Sequence, residues 1–477
     1  MKALLAAFSV ALCAVVALTV RGGAAAVLIC ALAALITGVI IAQSEQQQRG
    51  FLVQIFVSGL LIRMVIATII NTFELQEFFG GDAITYDMFG NAVAESWRAG
   101  IMQPAELKDW AQAGGGWGML YIVAAIYSVV GRNMLAVQFF NGVVGAATAP
   151  VIFLCARHIF QNLRVAKVAA FCVAFYPSLV LWSSQGLKDG PIVFLLAVAM
   201  LATLKLGERL SWRYIVVLVL AMFTVLSLRF YVFYMVVAAV GGAFIVGMRP
   251  ITSQSLGRQL VVVVAMGLAL TYLGVLRTAG TQIESFGNLQ AVQTSRADLA
   301  RSASSGFGAD VNVSTTAGAL SAIPIGITYL LFAPFPWQVA NLRQSITIPE
   351  MIVWWGSFPL LILGVWFTLR YRMRQALPIL IFTTMLTLAY SIFQGNVGTA
   401  YRQRSQILVF YFIFVAVGAV LLKERREDIR RQAEASRKEH MESWRAAAAQ
   451  HRYEHWKEKS EREFEDMAQS ISQRIDF

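Results

Sequence analysis

The side chains best placed for chemistry are a few charged residues standing where apolar runs end. The stretch Phe78-Phe79-Gly80-Gly81-Asp82-Ala83-Ile84-Thr85-Tyr86-Asp87 follows an apolar run that closes near Asn71. It opens the first long polar segment, so Asp82 and Asp87 are expected just beyond a membrane surface. A carboxylate on such a Gly-hinged turn can take a proton from an attacking hydroxyl. Lys188-Asp189-Gly190-Pro191, Arg229 with Phe230 and Tyr231, and Tyr401-Arg402-Gln403-Arg404 stand at other run ends. Arg forks match phosphate oxygens, and Lys supplies a point charge. Asp82 and Asp189 are therefore the catalytic candidates. Tyr86, Asp87, Lys188, Arg229, Tyr231, Arg402 and Arg404 are the candidates for holding substrate. Each has a structural alternative: Asp82 and Asp189 as helix N-caps, Asp87 as a local cap or ion pair, the arginines snorkelling to headgroups.

The elements that must position these residues are transmembrane helices. The chain has 477 residues, of which 58% are hydrophobic and 14% charged, and a mean hydropathy of +0.63. That composition belongs to a multi-span membrane protein. Many apolar runs reach the roughly 20 residues a helix needs to cross the hydrocarbon, and barrel-type alternation is absent. The net charge is +12, but residues 423–477 carry 13 basic and 13 acidic side chains, so the excess lies in residues 1–422. There it reports loop orientation and not nucleic-acid binding. Cys13, Cys30, Cys155 and Cys172 lie in or beside apolar segments and suggest packing, with no disulfide framework.

About twelve spans are expected, near 3–20, 24–42, 51–71, 134–156, 166–184, 190–206, 213–228, 230–247, 259–276, 350–369, 377–393 and 405–422. The first is read as an uncleaved span. The stretches 117–130 and 324–338, the second broken by Pro334 and Pro336, are read as re-entrant or interfacial pieces. Arg157, Arg164 and Lys167; Lys205, Arg209 and Arg213; Arg249 and Arg258; and Arg370, Arg372 and Arg374 fall in four loops on one side. The positive-inside rule makes that side cytoplasmic, with both termini inside. Loops 72–133 and 277–323, the latter with Arg277, Arg296 and Arg301, then lie outside, along with the short charged turns. Arg63 lies deep in its span, where a cation requires a partner or a polar cavity. Three regions follow: extra N-terminal spans in 1–50, a catalytic membrane domain in 51–422, and a charged cytoplasmic helix in 423–477. That last helix, with Ile429, Trp444, Trp456 and Phe464 among dense charges, is either solvated or packed on a protein partner.

Gly80-Gly81-Asp82, with Tyr86 four residues on, resembles the first outer loop of the GT-C fold glycosyltransferases that use polyprenyl-phosphate sugars. Protein mannosyltransferases and the lipid A aminoarabinose transferase are members of that family. The segment Asn141–Pro191 is similar to the family's next two spans. One helix ends in Ala156-Arg157-His158-Ile159-Phe160, the next in Phe175-Tyr176-Pro177-Ser178, and a short outer turn carrying Asp189 follows. The resemblance covers roughly residues 50–250. The family's Lys/His-Pro-Pro-Leu element is replaced by Gly114-Gly115-Gly116-Trp117-Gly118, and the extra N-terminal spans also depart from the pattern.

The resemblance implies an all-α polytopic membrane protein, a GT-C-like helical bundle in a bacterial inner (plasma) membrane. Asp82 would be the general base for direct, inverting transfer of a sugar from a polyprenyl phosphate to a glycan, protein or lipid hydroxyl. Asp189 would be a second carboxylate orienting the acceptor or a metal. Phosphate is a good leaving group, so no strong general acid is required, and no cofactor is certain. Some transferases of this fold use a divalent metal, but three well-spaced carboxylate ligands are not evident, and the metal stays open. A lipid-linked polysaccharide polymerase or ligase is the alternative; it would rely on arginines and long outer loops, with Asp82 dispensable. A transporter or lipid flippase ranks third, because the charges crowd the outer rim and no internal repeat is visible.

Overall fold

The computed structural model describes residues 2–102, 116–248, 253–272, 288–302, 305–308, 310–339 and 341–475. Glu106, Asp109, Gly114, Gly115, Arg249, Arg277 and the side chain of Arg258 lie outside the described residues. The chain divides into two units, 1–418 and 419–477.

The first unit is all-helical. Its N-terminal part contains α1 (Lys2–Thr19), α2 (Gly23–Ser44), α3 (Arg49–Thr72), α4 (Gln76–Phe79), α5 (Asp82–Arg98) and α6 (Gly118–Val130). The middle contains α7 (Met134–Phe160), α8 (Leu163–Phe175), α9 (Pro177–Ser183), α10 (Asp189–Glu208), α11 (Trp212–Leu228) and α12 (Phe230–Val246). Then follow α13 (Ser253–Tyr272), α14 (Leu289–Ser302), α15 (Thr316–Phe332), α16 (Leu342–Tyr371), α17 (Met373–Phe393), α18 (Val397–Gln403) and the start of α19 (Ser405–Ile475). Each of the twelve expected spans has a helix at its position. Seven of these helices are long and apolar enough to cross a membrane, or eight counting the bent pair α8–α9 as one, while several others are shorter. The helical form is forced: inside lipid every backbone N–H and C=O must be satisfied within its own segment. The expected broken segments are helical too, α6 without interruption and α15 through Pro324, ending at Phe332 ahead of Pro334 and Pro336.

Helix α7 lies at the centre, packed on α2, α3, α8 and α10. Its Gln138 and Asn141 are fully buried. Asn141 donates from Nδ2 to the carbonyls of Gln185 and Leu187, both at 2.7 Å. That amide fixes the turn between α9 and α10. Tyr176-Pro177 bends α8 against α9 by 54°, because proline cannot donate into the preceding turn. Arg63 of α3 answers the break. Its guanidinium donates to the Ala174 carbonyl at 3.0 Å, to Ser183 Oγ at 2.7 Å and to the Gly59 carbonyl at 2.9 Å. The partner of this intramembrane cation is thus a helix bend and not a carboxylate.

Helices α15 and α17 touch backbone to backbone at Gly326, where an added Cβ would stand 1.8 Å from the Ser391 carbonyl oxygen. In the second unit the chain stays helical to Ile475. Ion pairs such as Lys457–Glu461 and Arg462–Glu458, both at 3.9 Å, run along it, each worth a few tenths of a kcal/mol.

Overpacking a backbone contact costs ~1–3 kcal/mol. Gly326→Ala should therefore lower the apparent melting temperature of the detergent-solubilised protein by several degrees. Gly356→Ala, whose new methyl meets nothing within 4 Å, should leave it unchanged or raise it slightly. Equal melting of the two variants would contradict the α15–α17 crossing.

Candidate active site

Three separate parts of the chain bring charge to one place. The Gly80-Gly81 turn, with Gly80 at φ 123°, a value that favours glycine, delivers Asp82 as the first residue of α5. The turn held by Asn141 delivers Lys188 and Asp189 at the start of α10. Asn396 caps α18 with its side chain on Gly398 N and so aims Arg402. Neither Asp82 nor Asp189 makes a side-chain cap hydrogen bond; the N-cap positions belong to Gly81 and Lys188.

Arg402 bridges the two carboxylates. Its Nε donates to Asp189 Oδ2 at 2.6 Å and its Nη1 to Asp82 Oδ2 at 2.6 Å. Arg229, at the corner between α11 and α12, places Nη2 3.6 Å from Asp189 Oδ1. The Asp189 side chain is fully buried, whereas that of Asp82 is 55% exposed. Arg402 Nη2 and Arg229 Nη1 are buried and take no hydrogen-bond partner among the described residues. Arg402 lies 5.9 Å from the Trp182 ring centre, Arg229 5.7 Å from that of Tyr231, and Lys188 6.0 Å from that of Tyr86. Burial opposes the charge on Arg402, but the carboxylates of Asp189 and Asp82 outweigh it and hold its pKa above the ordinary guanidinium value. Lys188 goes the other way. Burial, followed by the charge of Arg229, pulls its pKa down to about 8.

These groups border a cavity of about 620 Å3, lined by Asp82, Lys188, Arg229, Arg343 and Arg402, with Phe79, Leu181 and Ile346 as apolar wall. That size and mixture suit a small-molecule site. Arg343 also donates to the Glu77 carbonyl at 3.0 Å and lies over Phe78. Sequence reasoning passed over it because it stands several residues ahead of the run at 350–369, and passed over Trp182 as one more apolar residue of the run at 166–184.

Four expected residues do not line this cavity. Asp87 is tied down by the Tyr127 hydroxyl and by Arg132, whose Nε donates to it at 3.1 Å, so it pins α5 to α6. Tyr86 is buried beneath Lys188, and Tyr231 is packed on Arg229 and, at 6.3 Å, edge-on to Tyr390. Arg404 is a correction. Although only two residues from Arg402, it is fully buried and donates to the Leu331 and Ala333 carbonyls at 3.0 and 3.2 Å. It caps the carbonyl end of α15 and does not line the cavity. Tyr401 lines the cavity and donates to buried Glu350 at 2.8 Å. Glu350, the first residue of the expected span 350–369, is another residue that sequence reasoning passed over.

Among the described residues no three His, Cys, Asp or Glu side chains come together in a way that could hold a metal. Asp82 in the cavity wall and Asp189 behind it are both paired with arginines.

Residues 116–274 match the model of the dolichyl-phosphate-mannose-protein mannosyltransferase family. The matched stretch contains Lys188, Asp189 and Arg229 and is shorter than half the chain. No curated protein and no solved structure matches. With the helical architecture and the apolar spans, the family match supports an integral-membrane glycosyltransferase of the GT-C type.

Removing one side of a buried ion pair costs ~3–5 kcal/mol, whereas an exposed one costs ~0–1 kcal/mol. Asp189→Asn should therefore lower the melting temperature markedly, leaving Arg229 without a carboxylate and Arg402 with Asp82 alone. Asp82→Asn should change it little. Thermal unfolding of the two purified variants side by side checks this, and a larger drop for Asp82→Asn would refute the burial order.

Proposed function

We propose that this protein transfers a sugar from a polyprenyl-phosphate donor to an acceptor hydroxyl, with inversion at the anomeric carbon. The observation that carries the reading is the pair of buried guanidiniums, Arg229 and Arg402, each with a spare nitrogen beside a cavity that also receives Lys188 and Asp82. A phosphate oxygen drawn against these side chains would offer such donors an acceptor. Their buried setting makes charge-assisted hydrogen bonds to a departing phosphate stronger than in water.

The acceptor oxygen attacks the anomeric carbon as the bond to the phosphate oxygen breaks. The hydroxyl proton passes to Asp82, and the electron pair of the broken bond leaves on polyprenyl phosphate. Arg402 engages only Oδ2 of Asp82 among the described residues, so Oδ1 is the atom assigned to the acceptor. Asp189 contacts no substrate in this scheme and acts as a positioning residue that holds Arg402 and Arg229. The basic turns at 157–167, 205–213 and 370–374 lie at the helix ends away from Asp82. The positive-inside rule then supports a cytoplasmic location for that end and an outward-facing cavity.

Two measurements test the reading. With a radiolabelled polyprenyl-phosphate-sugar donor, Asp82→Asn should lower kcat by about 10²–10⁴-fold while donor binding persists. Equal turnover would favour the polymerase or ligase reading, in which arginines suffice. The second test is pH. Lys188 in the free protein loses its proton as pH rises through about 8, and its hold on phosphate goes with it. The KM for donor should thus be flat below pH 8 and rise above it, by up to about tenfold per unit. Lys188→Arg keeps its charge and should flatten the profile. A rise of the same size in Lys188→Arg would assign the titration elsewhere.

A further inference from the structure

A second cavity lies at the other end of the bundle. Asp189 and Glu208 are the two ends of α10, about 28 Å apart at the helical rise, and Glu208 borders this second space. It has a volume of about 570 Å3, and its lining includes Arg370, Arg372, Arg374, His158, Glu208 and Met248. Three guanidiniums on the five-residue turn from α16 into α17 therefore face one concavity. Glu208, the one carboxylate in that lining, already has cations, with Lys205 at 4.0 Å and His158 at 3.7 Å. Among the described residues none of the three arginine side chains has a carboxylate or hydrogen-bond partner.

Helix polarity sharpens the imbalance. Arg370 sits in the last turn of α16, where the carbonyl end welcomes a cation. Arg374 sits in the first turn of α17, which contains no acidic residue, so the positive end of that helix opposes it. The turn gathers positive potential that Glu208, already paired, is the one carboxylate in the described lining to oppose, and an anion would balance it.

The surroundings say which anion. Trp366 and Tyr371 are 57% and 60% exposed, and their rings meet edge-on at 6.3 Å. Exposed Trp and Tyr on a spanning helix mark the headgroup level of the bilayer. Below the arginines the lining turns apolar through Ile159, Leu204 and Met248, with Met248 only 6% exposed. A phosphate followed by a hydrocarbon-bearing glycerol matches that sequence of surfaces, and basic pockets between helices take such headgroups. We infer that Arg370, Arg372 and Arg374 clamp the phosphate of an anionic phospholipid, at a site separate from the sugar-transfer cavity. A soluble phosphate would offer the same oxygens without the hydrocarbon.

Native mass spectrometry of the full-length protein, offered phosphatidylglycerol or phosphatidylcholine in detergent, reads the site directly. One phosphatidylglycerol should be retained in preference to phosphatidylcholine, and the preference should fall about fivefold for each arginine replaced by Gln. Arg374→Gln alone relieves the clash with the α17 dipole and should fold at least as well as wild type. The triple Lys variant should keep most of the preference. Gln at Arg425, Arg430 and Arg437 of the solvated tail should leave it unchanged, and 10 mM inorganic phosphate should not displace the lipid. Undiminished preference in both Arg374→Gln and the triple Gln variant would overturn the site. Displacement of the lipid by inorganic phosphate would overturn the lipid assignment.

Discussion

A carboxylate with no exposed surface governs the arrangement around the large cavity. Asp189 begins a spanning helix and is fully buried. An isolated ionised carboxylate there would cost several kcal/mol even after relaxation. Two guanidiniums offset that cost, and they come from far along the chain, at the α11–α12 corner and on α18. Each guanidinium must reach Asp189, so the corner at Arg229 and the short helix bearing Arg402 are both fixed. Asp82 then takes the remaining side of Arg402. Its half-exposed carboxylate thus inherits its position from a buried charge it does not touch.

The buried cations divide by what satisfies them. Arg63, Arg296 and Arg404 donate mainly to backbone carbonyls at bends and helix ends. Arg296 takes those of Ile392 and Gln394, both at 2.8 Å. These arginines substitute for the helical bonds that a bend or a proline removes, which the absence of water in the bilayer makes obligatory. Arg296 and Arg404 keep spare nitrogens too, but neither lines the large cavity. Arg229 and Arg402 combine carboxylate partners, unused donors and a place in the cavity wall. The proposed phosphate contacts rest on that combination and not on burial alone.

The positions of Asp82, Lys188, Asp189, Arg229 and Arg402 were legible because charge at the end of an apolar run is costly without a reason. Their grouping was not, since hydropathy says which end of the bundle a residue reaches and nothing about its neighbours. Arg402 and Arg404 show the limit. Two residues apart, one faces the cavity and the other a helix end, because α18 stops at Gln403 and the next helix begins at Ser405. Trp182 reads as one more apolar residue near the end of its run and Glu350 as the edge of another, and the Asp87–Arg132 pair depends on how α5 folds against α6. Most helix positions were readable to within a few residues, though α16 begins at Leu342 and not near 350, while the unbroken helical form of 118–130 was not, since its short apolar run suits several roles equally.

Charge balance connects the proposed binding to the proposed chemistry. Arg229, Arg402, Lys188 and Arg343 bring four positive charges to the cavity, and Asp82 and Asp189 return two, leaving an excess of two while Lys188 is protonated. A donor phosphodiester carries one negative charge, and the phosphate monoester that leaves can carry two. The excess therefore matches the departing group better than the bound donor, which is the sense in which a site lowers a barrier and does more than tighten binding. Proton transfer acts in the same direction. Once Asp82 is neutral, its hold on Arg402 weakens and that guanidinium becomes freer to follow the charge building on phosphate. One arginine linked to the base and facing the leaving group would thus couple the two halves of the reaction.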